Sequence, residues 1–407
     1  MSNVIYFSFP AYGHINPTLA IMTELVRRGE QVHYYALEQF RPAIESTGAT
    51  FCDYDSDFSI PEQGAGAFAQ LETTIDTLLT LSHSVLTHHL ETVSAFQPAY
   101  IMHDAFSPWG RFIAQALHLP AAVSVPSIAV NQQIAEGQVA AQPTGGAQAA
   151  SQQTWWEHTQ QRLADLAGQF GLPRLYNPYE LMHAYSDLNL VYTSRLFQPL
   201  ADSFDAQRFQ FVGPCLRTPS EQTAFPLEAL DGRPVLYISL GTVYTDRLAF
   251  FQACLQAFAR SRWQVVMAIG NVPRPALGPI PDNFLVQAFV PQLDLLPRTT
   301  LFITHGGMNS VNEALFYDIP LLVVPQWADQ FWIARRAAEL GAAEVLLDTQ
   351  VTSEQLCQNV EHIAAHREYA EAARKIGASL RTAGGVQKAV GVLEAFKQAR
   401  GREEKPS

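Results

Sequence analysis

Short apolar runs alternate with stretches in which apolar residues recur every three or four positions, and the alternation occurs twice along the chain. Val4–Phe9 is the first run, closed by Pro10. A loop over 11–16 then precedes a helix in which Leu19, Met22, Leu25 and Val26 keep helical spacing. Pro17 sits where a first helical turn tolerates proline, and Gly29 provides the C-terminal stop. Residues 31–37 read as a second strand, so strand, helix and strand follow one another with short connections. That is a βαβ unit, which implies a parallel sheet with right-handed crossovers. Residues 99–103 and 121–125 extend the same sheet.

The alternation stops over 216–234, where Pro219, Pro226 and Pro234 stand among polar residues, and this segment reads as a linker. It restarts with strands over 235–240, 263–269, 285–289, 301–304 and 321–324, and helices over 247–259 and 309–316. The expected organisation is an α/β chain with an N-terminal domain over 1–215, joined by a C-terminal helix over 386–399, and a second domain over 235–385. In such sheets ligands bind at the carboxyl ends of the strands, which places the expected site in a cleft between the two domains. The Ala-, Gln- and Gly-rich segment 138–153 is expected to be a mobile loop.

With 407 residues the chain exceeds one ordinary core, and 48% hydrophobic against 16% charged residues leaves ample apolar surface to bury. The net charge of -12 repels nucleic acid and anionic lipid, so any phosphate must be bound locally. Cys52, Cys215, Cys254 and Cys357 lie far apart with no CxxC pair, which fits neither a zinc site nor a disulfide framework and suits a cytoplasmic location. The opening MSNVIYFSFP lacks a basic start and reads as a strand instead of a signal peptide, and no apolar stretch is long enough to span a membrane.

The most informative run is LFITHGGMNSVNEALF, 301–316, which passes from strand through a Gly-rich turn into a helix. Gly306 and Gly307 let the backbone approach a ligand, and the helix start offers unpaired N–H groups and the positive end of its dipole to an anion. Asn309 and Ser310 add side-chain donors. Met308, Val311 and Leu315 share a stripe suited to burial, whereas Asn309 and Glu313 share the opposite face, where a carboxylate beside a phosphate suits ribose hydroxyls. A second turn, SLGTV at 239–243, ends another strand with Gly241 and Thr242, so two turns can converge on one pyrophosphate. No GxGxxG follows the first strand and no lysine-bearing P-loop occurs, which counts against hydride transfer and ATP hydrolysis.

Residues 289–330, FVPQLDLLPRTTLFITHGGMNSVNEALFYDIPLLVVPQWADQ, resemble the donor-binding box of the UDP-dependent glycosyltransferases, specifically the bacterial macrolide glycosyltransferase branch. The likeness extends to FPAYGHINP near the start and to the order of both halves, with the poorest fit over 55–95 and 130–180. It implies a GT-B fold, in which two Rossmann-like α/β domains face each other across a cleft. It also implies an inverting reaction, no metal and no cofactor beyond the nucleotide sugar as co-substrate. By position, Phe289 stands where plant relatives have a tryptophan that stacks on uracil, and Gln292 would contact the nucleoside. His305, Gly307, Asn309 and Ser310, with Gly241 and Thr242, would hold the diphosphate, Glu313 the ribose, and Asp329 and Gln330 the sugar hydroxyls. The last pair resembles that of glucose users, so UDP-glucose is the first donor expected.

An acceptor hydroxyl is a poor nucleophile at neutral pH, and a base titrating near 7 is needed. His14, expected in the loop after the first strand, is the candidate, with Asp104 at the end of another strand to hold the far ring nitrogen. Both match the family's dyad. His103 beside it should point to the opposite face of its strand. The string Asp53, Asp55, Asp57 looks like a metal motif, yet Phe58 and Gly64 stand where a calcium loop needs Gly and Glu, and it reads as a polar loop. Phe58, Phe68, Trp155, Trp156, Tyr176 and Tyr179 are candidates to line an apolar acceptor pocket, for a macrolide, a flavonoid or another natural product. The expected partners are therefore a nucleotide sugar and an apolar small molecule, with no nucleic acid and no membrane. A nucleotide-sugar epimerase on the same fold, or a non-catalytic relative that assists another enzyme, would share most of these features.

Overall fold

The protein is described by a computed structural model covering residues 2–54, 58, 71–134, 149–173, 178–217, 225–241, 247–327, 329–347 and 350–403. It divides into two compact units: the first comprises 1–192, 198–215 and 384–407, and the second 193–197 and 216–383.

In the first unit, β1 (Asn3–Phe7), β2 (Gln31–Ala36), β3 (Thr50–Asp53), β4 (Tyr100–Asp104), β5 (Ala121–Val125), β6 (Leu188–Val191) and β7 (Phe209–Phe211) form one sheet of order β3-β2-β1-β4-β5-β6-β7. Every pairing is parallel. Parallel sheets covered on both faces need strands that are apolar on both sides, which is why NVIYF has no polar alternation. Ile5 and Phe7 face one core, which is closed by α2 (Leu71–Phe96), α3 (Pro108–Ala116) and α4 (Ala149–Phe170). Val4 and Tyr6 face another, closed by the helix Tyr12–Arg27, here α1. Residues 149–153, expected within a mobile loop, belong to the first turns of α4, and 138–148 lie outside the described residues.

The second unit repeats the plan with β8 (Val235–Ser239), β9 (Gln264–Ala268), β10 (Phe284–Gln287), β11 (Thr299–Thr304), β12 (Leu321–Val323) and β13 (Ala343–Val345), ordered β10-β9-β8-β11-β12-β13 and all parallel. Its helices include α5 (Leu248–Phe258), α6 (Met308–Phe316), α7 (Gln330–Glu339), α8 (Ser353–Ala365) and α9 (Arg367–Thr382). Leu236 and Ile238 pack with Phe250, Phe251, Leu356 and Val360 from α5 and α8. The chain then returns to the first unit as α10 (Gly385–Glu403), whose Ala389, Val390 and Leu393 complete the core beneath α1. No described helix is long and apolar enough to cross a membrane.

Each sheet has one topological switch point, between β1 and β4 in the first and between β8 and β11 in the second. Connections leave in opposite directions there, which opens a crevice at the carboxyl edge. His14, Asp104, Gly241 and His305 stand at or just beyond the carboxyl ends of β1, β4, β8 and β11.

Candidate active site

In the first unit His14 is not in a loop, as the sequence implied, but in the first turn of α1, which starts at Tyr12 and runs through Pro17. Proline lacks an N–H to donate back to Gly13, and the helix tolerates that loss near its start. The early start aims the imidazole at Asp104, the last residue of β4. Nδ1 lies 2.9 Å from Asp104 Oδ1, with the histidine 22% exposed and the carboxylate fully buried. A carboxylate can only accept, so Nδ1 carries the proton and Nε2 is the basic nitrogen. Phe106 N–H also donates to Oδ1 at 2.8 Å, and the rings of Phe9 and Phe106 pack on the imidazole at 5.0 and 5.7 Å. These two phenylalanines were missed from the sequence, although an Asp bonding the N–H two residues on is a common turn, written here as Asp-Ala-Phe. His103 faces the other side of β4, where burial pushes it down to about 4 and Nε2 lies 3.2 Å from Ser186 Oγ.

In the second unit β11 delivers His305, and α6 begins three residues later with Gly307 at its N-cap and no side chain capping it. The His305 ring is clamped between glycines. A Cβ on Gly241, which has φ +80, would approach its Cε1 to 2.7 Å, and one on Gly307 would approach Nε2 to 2.4 Å. Burial holds the ring neutral, down to about 4, and its Nδ1 is sealed from solvent with no hydrogen-bond partner among the described residues. Uncapped N–H groups, a neutral imidazole and glycines without side chains make a surface that an anion can approach closely.

One turn along α6, Gln292 Nε2 donates to Glu313 Oε2 at 2.6 Å and lies 3.5 Å from Ser310 Oγ. Burial raises Glu313 to about 7, against the opposing Gln292 bond and the charge of Arg217. Met308, Val311 and Leu315 are buried as their spacing implied, while Asn309 and Glu313 are half-buried on the other side. Phe289 is 71% exposed after β10, so packing does not explain it. Asp329 is exposed at the start of α7. Gln330 Oε1 accepts from the N–H groups of Gln326 and Trp327 at 2.9 and 3.1 Å, which leaves its amide NH2 to donate. Thr242 lies outside the described residues.

Of the aromatic residues expected around an acceptor, Phe58 is 4% exposed and stacked on Tyr54 at 4.2 Å, inside the core of the first unit. Trp155 and Trp156 are half-buried on α4, and the Trp155 indole donates to Asp76 at 3.3 Å. Phe68 and Tyr176 lie outside the described residues, as does the side chain of Tyr179.

Residues 252–395 match a family model described as Erythromycin biosynthesis protein CIII-like, C-terminal domain. An uncharacterized UDP-glucosyltransferase of Bacillus subtilis (strain 168), YojK, is 35% identical over 98% of this chain and 98% of its own. The demethyllactenocin mycarosyltransferase of Streptomyces fradiae is 30% identical over 97% of this chain and 86% of its own. Among solved structures, the glycotransferase of kitacinnamycin superposes with a TM-score of 0.85 at 27% identity, covering 97% of this chain and 98% of that one.

Proposed function

The chain belongs to the macrolide branch of the nucleotide-sugar glycosyltransferases, with the GT-B fold, and we propose that it moves glucose from UDP-glucose onto a hydroxyl of an apolar natural product by a single inverting displacement without a metal ion. The observation that carries this reading is the contact of His14 Nδ1 with the buried Asp104 carboxylate at a sheet switch point. In that arrangement Nε2 takes the acceptor's proton as its oxygen attacks C1 of the sugar, and Asp104 stabilises the imidazolium that forms. The bond from C1 to the diphosphate breaks on the opposite face, and the anomeric configuration inverts.

The negative charge that develops on the leaving UDP needs fixed hydrogen-bond donors and dipoles aimed at it. The start of α6, the half-buried His305 and the Gly241 and Gly307 backbones would supply these, together with Asn309, Ser310 and Thr242. Glu313, oriented by Gln292, suits ribose hydroxyls, and the exposed ring of Phe289 suits stacking on the base. Asp329 would accept from sugar hydroxyls while the Gln330 amide donates. Glucose as the sugar is supported by this Asp–Gln pair and by the likeness to the Bacillus UDP-glucosyltransferase.

The test is UDP release and product mass with UDP-glucose and a panel of phenolic and macrolide acceptors, in the presence of EDTA. Acceptor-dependent UDP release with a hexose mass gain is expected. UDP release or sugar conversion without any acceptor, or activity abolished by EDTA, would refute the proposal.

A further inference from the structure

Beneath the His14–Asp104 pair, the face of the seven-stranded sheet covered by α1 and α10 changes character. Towards the amino ends of the strands it is apolar, with Val4, Tyr100, Met102 and Ala122. At the carboxyl edge it becomes a layer of hydroxyls: Tyr6 on β1, Tyr34 on β2, Ser124 on β5, Tyr192 just past β6 and Thr18 on α1, surrounding Asp104 and all at most 2% exposed. The strand register builds this layer. Tyr34 lies opposite Tyr6, and Ser124 lies opposite Asp104. Thr18 follows His14 by one helical turn, so the same face of α1 supplies both, and its hydroxyl lies 2.9 Å from that of Tyr34. The Tyr6 and Tyr34 rings meet edge-on at 4.7 Å.

Oδ1 of Asp104 accepts from His14 and Phe106, but Oδ2 has no partner among the described residues. Tyr6 OH and Ser124 Oγ, in the same layer and equally sealed from solvent, have none either. The Ser124 hydroxyl is near enough to Tyr6 and Tyr192 to offset part of the effect of burial on both phenols, and the charge of Asp104 reaches Tyr6, Tyr34 and Tyr192. Buried oxygens of this kind are rarely left unpaired, and one carboxylate oxygen with two hydroxyls makes the two to four polar contacts that an internal water takes.

We propose that Tyr6, Ser124 and Oδ2 of Asp104 bind one internal water, and that Tyr6 and Ser124 are thereby positioning residues for the His14–Asp104 pair. The water site stands on the sheet alone, whereas its catalytic consequence rests on the reading of His14 as the base. Donation through the water holds Oδ2 in place and spreads the carboxylate's charge, so that Oδ1 keeps its aim at Nδ1. The titratable groups that face Asp104 are His14 from α1, Tyr6, Tyr34, Tyr54 and Tyr192, with Cys215 beside Tyr192. The phenols and the thiol are raised by burial and stay neutral through the working range, and α10 contributes Ala389, Val390 and Leu393 to this core.

With one donor fewer at Oδ2, the undiluted negative charge holds the imidazolium proton more tightly. In Tyr6→Phe and Ser124→Ala the acid limb of kcat/KM should therefore move up by about half a pH unit, which lowers kcat/KM below the limb about threefold. A crystal structure of the full chain should show an ordered water within hydrogen-bond distance of Asp104 Oδ2 and of Tyr6 OH or Ser124 Oγ. Well-resolved density without that water would overturn the site. Variants that melt at a lower temperature but keep the wild-type acid limb would overturn the positioning role, and Ser124→Ala carries the measurement if Tyr6→Phe does not fold. Transfer that survives His14→Ala would instead overturn the base and with it the catalytic consequence, while the crystallographic water is judged independently.

Discussion

At the scale of single residues, the roles proposed for Glu313 and His14 are tested by different measurements. Glu313 is raised from 4.5 to about 7 by burial, so the folded protein without donor holds a proton that the unfolded chain releases. Stability of the donor-free protein should therefore fall as pH rises from about 4.5 through about 7, because the folded state binds more protons across that window. Ribose hydroxyls favour the ionised carboxylate, so UDP should bind with release of a proton below pH 7 and more tightly as pH approaches that value. Calorimetry in buffers of different ionisation enthalpy reads both quantities, and an affinity flat from pH 5 to about 7 would remove Glu313 from the nucleoside contact. His14 is proposed for the proton transfer instead. Replacing it with Ala should lower kcat by roughly a hundredfold or more, the usual worth of a general base, with UDP affinity nearly unchanged. Near-normal turnover would end its role.

At the scale of elements, the residues proposed for function are concentrated where the chain leaves a parallel strand at a switch point and enters a helix. The turn from β11 to α6 depends on the absence of side chains. Gly307 has φ -60 and ψ 139, which alanine adopts without strain, yet its Cβ would lie 2.4 Å from His305 Nε2. Gly307→Ala should therefore leave the fold intact but displace the His305 ring, weakening UDP binding about tenfold, equivalent to about 1.4 kcal/mol. Titration calorimetry together with circular dichroism checks this; unchanged affinity would mean that the His305 ring and the α6 start do not form the diphosphate surface. This turn was legible in the sequence because its chemistry is local: strand, glycines and helix start occupy consecutive positions. The strands flanking both switch points were legible for the same reason, each being a continuous apolar run such as VLYIS. β3, β6, β7 and β13 were not, since stretches of three or four residues such as FQF and AEV are too short to show a period. Nor was the helical placement of His14, because Pro17 signals a helix start and here lies five residues inside one. Phe9, Phe106 and the hydroxyl layer are brought together by sheet register, which no local pattern encodes.

At the scale of the whole molecule, the chain crosses from the first unit to the second and comes back, so that its last long helix is separated in sequence from the core it completes. The polar side of α10 is tied to the first unit by ion pairs, Glu394 with Arg28 at 2.8 Å and Lys397 with Glu30. Its apolar side contributes more: Leu393 is 1% exposed and Val390 is fully buried against Val4, Tyr100 and the α1 residues Ile21 and Leu25. Ion pairs at the solvent boundary contribute little, whereas truncating a buried leucine to alanine costs about 2–5 kcal/mol. The stability of the unit that holds the proposed base thus depends on residues that follow the entire second unit in sequence. Leu393→Ala should open the seven-stranded sheet preferentially, with amide protection falling in β1, β2 and β4 and unchanged in β8 and β11. Hydrogen exchange resolved to these strands tests this directly, because the two sheets belong to different units. Equal loss of protection in both would show that they unfold as one cooperative body. Loss confined to the first sheet, with UDP affinity retained, would show that the α6 surface binds nucleotide without support from the core that positions His14.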